Sequence, residues 1–395
     1  MRSSILALIL AVGLATACSS GGGSSPGGRG GSPAGGSTGG GGVTAAAGET
    51  GAGGGTGAAG AAGSGGASGR AGAPATGGAA GATTRDGGPP TDAGSSWTVV
   101  PCGASPPSCA GLPHVCGPNG DGDCCQSDLV PGGNYLRDNL GEPATVGTYC
   151  LDKYEITVGR FRNFLMAYPG AKPSAGAGNN PNDPADTGWA PTWTASLPAD
   201  QSTLARTVAT YPDCSQYENW ATSPDLYDDM PMNCITWYLA YAFCAWDGGW
   251  LPTRVQWDYA ARGGPDQRYY PWSSPPSDQT LDPSYADYDC YAEGGTGCHV
   301  NVLEVAVGSR PKGDGRFGQS DLLGNVMEWL QDWKVYSNPQ VPCVDCADLT
   351  SGSFRLLRGG SAESYKQNLG TNADENNYPP TETWAYIGAR CARAR

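Results

Sequence analysis

The sequence predicts an α+β domain, rich in loops, behind a disordered Gly/Ala-rich stalk. The first observation is a break in composition. The 395 residues include 63 Gly and 32 Pro, far above globular usage, and much of the Gly precedes residue 95. The second is that short strand-like runs and amphipathic helical patterns both occur after the break, separated by long stretches of Pro, Asn, Asp and Trp. The third is a supply of fifteen cysteines, which in an exported chain implies disulfides.

Residues 1–18 read as an export signal. Arg2 supplies the positive start, and Ile5 to Val12 is an apolar run too short to span a bilayer comfortably. It closes in Leu14-Ala15-Thr16-Ala17-Cys18, small residues directly before a cysteine. That pattern resembles a bacterial lipobox, with Cys18 the lipidated residue; ordinary cleavage after an Ala-x-Ala-type site is the competing reading. A lipid there would tether the protein to a membrane, the outer membrane by expectation, without crossing it. Setting Cys18 aside leaves an even number of cysteines, so all the rest can pair. Residues 19–96 hold almost no large apolar side chain and cannot bury enough surface to fold. They read as a flexible linker.

A lead-in follows over residues 97–127. Cys102, Cys109, Cys116, Cys124 and Cys125 crowd between turn residues, which predicts a disulfide-stapled segment. Zinc is the weaker alternative, because His114 is the only nearby histidine and no Cys-x-x-Cys pair accompanies it. The main domain, 128–395, opens with a strand over Leu129 to Leu136 and a second within Tyr149 to Val158. Thr157 caps a helix that carries Phe161, Phe164 and Leu165 at i, i+3, i+4. Residues 168 to 230 show weak periodicity and read as long loops. Trp237 to Trp246 is a helix with Trp237, Tyr241 and Cys244 on one face. Thr253 and Gln256 form a capping box for the next helix, which Arg262-Gly263-Gly264 stops. Cys290 and Cys298 bracket a Gly-rich loop, Val305 to Ser309 reads as a strand, and Cys343 and Cys346 suit a loop-stapling disulfide or separate partners better than a metal.

The net charge of −14 argues against nucleic acid or an anionic membrane surface as partner, since both need clustered Lys and Arg. Acidity suits a divalent cation. Ser320-Asp321-Leu322-Leu323-Gly324-Asn325-Val326-Met327-Glu328-Trp329 places two carboxylates on either side of a Gly-Asn turn. Carboxylates and carbonyls around a tight turn are what calcium prefers. A helix cap or strand corner with solvated acids explains the same residues.

These pieces, in order, resemble the formylglycine-generating enzyme, or sulfatase-modifying factor, family. The matching segments are Pro131-Gly132-Gly133-Asn134-Tyr135, Asp152-Lys153-Tyr154-Glu155-Ile156-Thr157, the Trp237 helix, Leu251 to Gly264 and Tyr270-Pro271-Trp272-Ser273. Asp321 to Trp329, Arg358-Gly359-Gly360-Ser361 and Gly388-Ala389-Arg390-Cys391 complete them. The resemblance covers roughly residues 128 to 395 and implies a complex C-type-lectin-like α+β fold. It implies oxidation of a sulfatase cysteine by a copper ion held on two cysteines, whose positions fall here on Ser364 and Leu369. No cysteine lies between Cys346 and Cys391, so copper is not expected.

The resemblance further implies a disulfide between Cys244 and Cys391, which would close a loop of about 150 residues and contribute ~5 kcal/mol in the chain-entropy model. A second family disulfide is lost, its position being Ala261. Calcium is implied at Asp321, Gly324, Val326 and Glu328, with a possible second site at Asp287 and the carbonyl of Tyr288. The expectation is a lipid-anchored, non-catalytic relative at the cell envelope that binds a glycan, peptide or envelope protein through Ser361, Glu363, Ser364 and Tyr365. Trp189, Trp193, Trp220 and Trp272 suit stacking on such ligands, though core packing explains most of them. An oxidoreductase of the family with altered chemistry is the alternative; no nucleophile or redox ligand can be named for it.

Overall fold

The computed structural model describes Val99 and residues 101–395, apart from 104, 138–140, 211–213, 215–218, 225–226, 291–303, 336–339 and 374–375. The signal, Cys18, the linker, Trp97 and Cys298 lie outside the described residues.

Among the described residues, ten short strands and four α-helices carry the domain. Strands β1 (Ser127–Val130), β4 (Tyr149–Asp152) and β10 (Ala392–Arg393) form one sheet in the order β1-β4-β10. Strands β2 (Gly133–Arg137), β3 (Glu142–Val146) and β6 (Cys343–Val344) form a second. The third has the order β8-β7-β5-β9, from β8 (Asn376–Tyr378), β7 (Arg355–Arg358), β5 (Met327–Trp333) and β9 (Ile387–Gly388). The expected first strand over Leu129 to Leu136 is two strands. Pro131 has no N–H for a ladder and Gly132 sits 2.6 Å, at a built Cβ, from the Val146 carbonyl, so the chain breaks there and starts a new sheet. The second predicted strand lies within its expected bounds, as Tyr149–Asp152.

Helix α1 (Val158–Ala167) begins at Thr157, whose hydroxyl accepts from the Arg160 N–H. Helix α3 (Trp237–Trp246) has the predicted limits but not the predicted single buried face: Leu239, Ala240, Ala242 and Phe243 are buried as well. It is a central helix, walled by α1 through Phe161, Phe164 and Phe243, and by Trp189 tilted against Tyr241 and Trp193 edge-to-face with Trp237. Both reciprocal bonds of the Thr253–Gln256 capping box open α4 (Arg254–Ala261).

Two expectations fail. The stretch 168 to 230 contains helix α2 (Gln201–Ala209), capped by Asp200 and buried through Leu204 and Val208. Val305 to Ser309 is a turn, not a strand: Gly308 has φ +72° and closes against the Tyr154 ring.

The disulfides are Cys109–Cys125 and Cys116–Cys124 in the lead-in, Cys102–Cys150 from the lead-in to β4, Cys214–Cys234, Cys343–Cys346, and Cys244–Cys391. The last spans 147 residues and joins α3 to the stretch before β10. Cys290 is also in a disulfide.

A fully buried charge cluster locks the lead-in to the domain. Arg160 reaches Asp152 at 2.9 Å and Asp247 at 2.6 Å, and Arg393 reaches the same two aspartates at 3.0 and 2.7 Å. The Ser127 hydroxyl donates to Asp152, and the Ser108 N–H donates to Asp247. Two carboxylates meet two guanidiniums, and the pairing holds Asp152 down at about 2 in spite of burial.

Candidate functional site

The predicted ligand-binding residues meet in one cleft. Strand β7 ends in Gly359-Gly360, both in the left-handed region at φ +98° and +72°. A Cβ on Gly360 would stand 2.6 Å from Leu369, so this turn needs glycine. It swings the chain from the sheet into the wall of a cleft of ≈ 610 Å³ lined by Ser361, Glu363, Ser364, Tyr365 and Leu369. Tyr269, Met327, Asn372, Asn376, Tyr378 and Tyr386 line it as well, and sequence reasoning missed them. The polar run Thr371 to Tyr378 was the available signal.

Hydrogen bonds fix the wall. The Ser361 N–H donates to Ser364 Oγ at 2.9 Å, and the Asp289 N–H to the Ser364 carbonyl at 3.0 Å. The hydroxyls of Tyr378 and Tyr386 stand 3.1 Å apart, and burial pushes the Tyr386 phenol up. Ser364 has no imidazole or carboxylate partner among the described residues, so nothing there activates it as a nucleophile. Every described cysteine is in a disulfide. Of the predicted aromatics, none lines the cleft. Trp189 packs on Tyr241, Trp193 on Trp237, Trp220 on Phe161, and Trp272 between Tyr270 and Tyr285.

The acidic turn lies directly behind this wall. Asp321 (φ +55°), Gly324 (+86°) and Asn325 (+57°) are all left-handed. The Gly324 N–H donates to the Gly359 carbonyl at 3.0 Å, and the Ala362 N–H to the Asn325 carbonyl at 2.9 Å. The Asn325 N–H donates to the Asp287 carbonyl at 3.0 Å, and a Cβ on Gly324 would fall 2.1 Å from that oxygen. The two predicted metal regions, Asp321 to Glu328 and Asp287-Tyr288, are therefore one packed unit. Strand β5 leaves the turn held between helices: Trp257 donates to Glu328, Trp237 to the Leu330 carbonyl and Trp329 to the Ile235 carbonyl, at 2.8 to 2.9 Å.

The predicted calcium set fits in part. Glu328 is committed: Arg390 Nε bonds both of its oxygens at 2.9 Å, a second guanidinium nitrogen reaches it at 2.8 Å, and Trp257 adds a fourth bond. Asp321 accepts from the Gly308 N–H at 2.5 Å. Beside it lies a residue outside the predicted set, Glu155, fully buried with neither carboxylate oxygen hydrogen-bonded. Burial first, then the neighbouring Asp321 charge, pushes Glu155 well up; burial raises Asp321 too. Three buried carboxylates thus share one guanidinium, an excess that a divalent cation would offset. Among the described residues no three His, Cys, Asp or Glu side chains converge as a ready ligand cluster, so carbonyls such as those of Gly324 and Val326 would have to complete the shell. At the second region, Asp287 faces Arg310 at 3.8 Å.

The family model described as "Sulfatase-modifying factor enzyme 1-like domain" matches residues 114–395. The chain belongs to the sulfatase-modifying factor family. The formylglycine-generating enzyme of Streptomyces coelicolor is 34% identical over 175 residues, 41% of this chain and 52% of that protein. Hercynine oxygenase of Mycolicibacterium smegmatis is 26% identical over 277 residues, 64% of this chain and 56% of that protein. The chain spans about half the length of the curated relatives it matches. Among solved structures, PvdO from Pseudomonas aeruginosa is similar, with 18% identity, a TM-score of 0.47, and coverage of 69% of this chain and 95% of that one. In this sulfatase-modifying factor domain the cleft wall follows the Arg-Gly-Gly-Ser turn, and no helix among the described residues is long and apolar enough to cross a membrane.

Proposed function

We propose that the protein is an exported, lipid-anchored member of the family that binds a glycan or peptide in the Ser361–Leu369 cleft without converting it. The make-up of the cleft carries this reading. The resemblance puts the copper-holding cysteines at Ser364 and Leu369, and both side chains line the cleft. A hydroxyl held by the Ser361 N–H and a buried leucine cannot ligate Cu(I) as thiolates do. Calcium, held by Asp321 and Glu155 with carbonyls of the turn, would brace the wall from behind; Asp287 with the Tyr288 carbonyl is a possible second site. Lipidation at Cys18 would place the domain at the cell envelope, on the outer membrane, at the end of a flexible linker. An envelope protein is a further possible partner; the acidic chain does not suit nucleic acid.

Incubation of the protein with a cysteine-containing sulfatase peptide, copper and oxygen tests the central point. The expected mass spectrum shows unmodified peptide; conversion that a copper chelator abolishes would overturn the non-catalytic reading. Cys18→Ala should release the protein from membranes, and unchanged retention would remove the anchor. The similarity to formylglycine-generating enzyme and hercynine oxygenase favours a second reading, an oxidoreductase with altered chemistry, which oxygen consumption dependent on an added substrate would support.

A further inference from the structure

The cleft opens into a side chamber. A second cavity of ≈ 330 Å³ shares Tyr269 and Asn372 with it and is lined by Arg262, Gln267, Arg268 and Gln279. The chamber exists because helix α4 stops in a tight loop. Gly263, Gly264 and Gln267 are left-handed at φ +66°, +64° and +57°, and the Arg268 N–H closes the loop on the Arg262 carbonyl at 2.9 Å. The loop brings two arginines side by side.

Arg262 is only 6% exposed. Its terminal nitrogens donate to the Leu136 carbonyl at 3.4 Å and the Thr371 carbonyl at 3.1 Å, and its Nε has no partner. Among the described residues it meets carbonyls and no carboxylate. The acid nearest the loop, Asp266, is divided between Arg268, at 3.1 Å, and Arg316. A buried guanidinium with an unbonded, occluded donor and no carboxylate partner among the described residues carries a desolvation cost that an anion would offset. The planar fork suits a carboxylate or a sulfate group. In a chain of net charge −14, a basic chamber opening off the cleft is not a consequence of bulk composition.

We propose that this chamber is an anion subsite, and that it takes the carboxylate or sulfate of an acidic oligosaccharide whose neighbouring units occupy the main cleft. The proposal rests on the binding reading of that cleft. Its wall presents hydroxyls and amides of Ser364, Asn368, Asn372 and Asn376, with the rings of Tyr269 and Tyr365 at hand. Hydroxyl and amide donors with aromatic faces suit sugar rings better than apolar side chains of a peptide.

Calorimetric titration of the full chain with inorganic sulfate, an oligogalacturonate, its methyl ester and hexa-aspartate tests this. The acid should bind about tenfold or more tightly than the ester, and sulfate should bind alone. Arg262→Met and the half-buried Arg268→Gln should each remove the acid-over-ester difference and weaken sulfate. Tyr365→Ala should weaken acid and ester but leave sulfate unchanged. Equal binding of acid and ester, or sulfate binding that survives both arginine changes, would overturn the subsite while leaving the cleft reading intact. Tighter binding of hexa-aspartate than of the acid would assign the chamber to acidic peptide instead. Sulfate binding with no oligosaccharide binding would overturn the glycan and, with it, the occupant of the cleft.

Discussion

Two buried charge clusters flank the Cys244–Cys391 disulfide, and they are balanced differently. Asp152 and Asp247 meet Arg160 and Arg393, two charges of each sign, with the aspartate oxygens in range of guanidinium, hydroxyl or backbone donors. Glu328 pairs with Arg390, whose charge also acts on Glu155 and Asp321, and Glu155 is left without a side-chain hydrogen bond among the described residues. The first cluster is complete as it stands and acts as a lock between lead-in, α1, α3 and β10. The second holds more carboxyls than guanidiniums, and Glu155 and Asp321 are pushed up rather than down. The contrast separates a matched set of charges from an unmatched one, although both are made from the same residue types and both are buried.

The largest expected effect breaks the second cluster. Arg390→Met removes the one guanidinium that pairs with this cluster among the described residues, and the bonds to the Asp152, Lys153 and Ser320 carbonyls. It should cost about 3–5 kcal/mol in denaturant unfolding, and more than Arg393→Met, because Arg160 still serves the first cluster. Equal losses would erase the distinction. Calcium comes next. At a calcium concentration about a hundred times the dissociation constant, ion binding should add ~2.7 kcal/mol. Glu155→Gln should abolish that increment yet stabilise the chelated protein, since it removes a buried carboxyl with no hydrogen-bond partner. A variant whose calcium response matched the parent would leave the second cluster without its ion.

Acid and base should sharpen the difference further. Asp152 is held at about 2, below its ordinary 3.8, so its contribution is present above about pH 4 and is lost as the pH falls towards 2. Asp332 is pushed the opposite way, to about 7, by burial that outweighs the N–H bonds from Asp348 and Arg254. Its contribution is present below about pH 4 and is lost as the pH rises through 7. Asp332→Asn should therefore flatten the decline in melting temperature between pH 4 and 7 and leave the acid limb alone; Asp152→Asn should do the reverse. The smallest effect is local. Thr253→Ala removes the capping-box acceptor at the start of α4 and should cost ~1 kcal/mol in thermal unfolding.

Local signals were legible in the sequence, and contacts across the chain were not. The α3 limits, the Thr157 cap and the Thr253–Gln256 box depend on neighbours within a few residues and read directly. Helix α2 was hidden because Pro and Trp around it mask a short pattern of Leu204 and Val208, although Asp200 was a visible cap. Val305 to Ser309 looked like a strand from its apolar content, but Gly308 closing on Tyr154 decides its shape. In the site, Ser361 to Leu369 were readable as a segment after a Gly-Gly turn. Tyr269 reaches the same cleft from far along the chain, and no local pattern marks it. Glu155 was overlooked because a carboxylate in Asp-Lys-Tyr-Glu-Ile-Thr looks like a solvated position in a strand. The charges that act on it, Asp321 and Arg390, come more than 160 residues later.

Arg390 and Arg393 lie downstream of every carboxylate they neutralise. Order of synthesis therefore has a physical consequence. Until the two arginines are made, Glu328 and its neighbours Glu155 and Asp321 lack the guanidinium of Arg390, while Asp152 and Asp247 have Arg160 alone. Closing the core early would bury uncompensated negative charge, a large penalty. Full closure of the core about these acids therefore waits on Arg390 and Arg393, an order of assembly set by electrostatics.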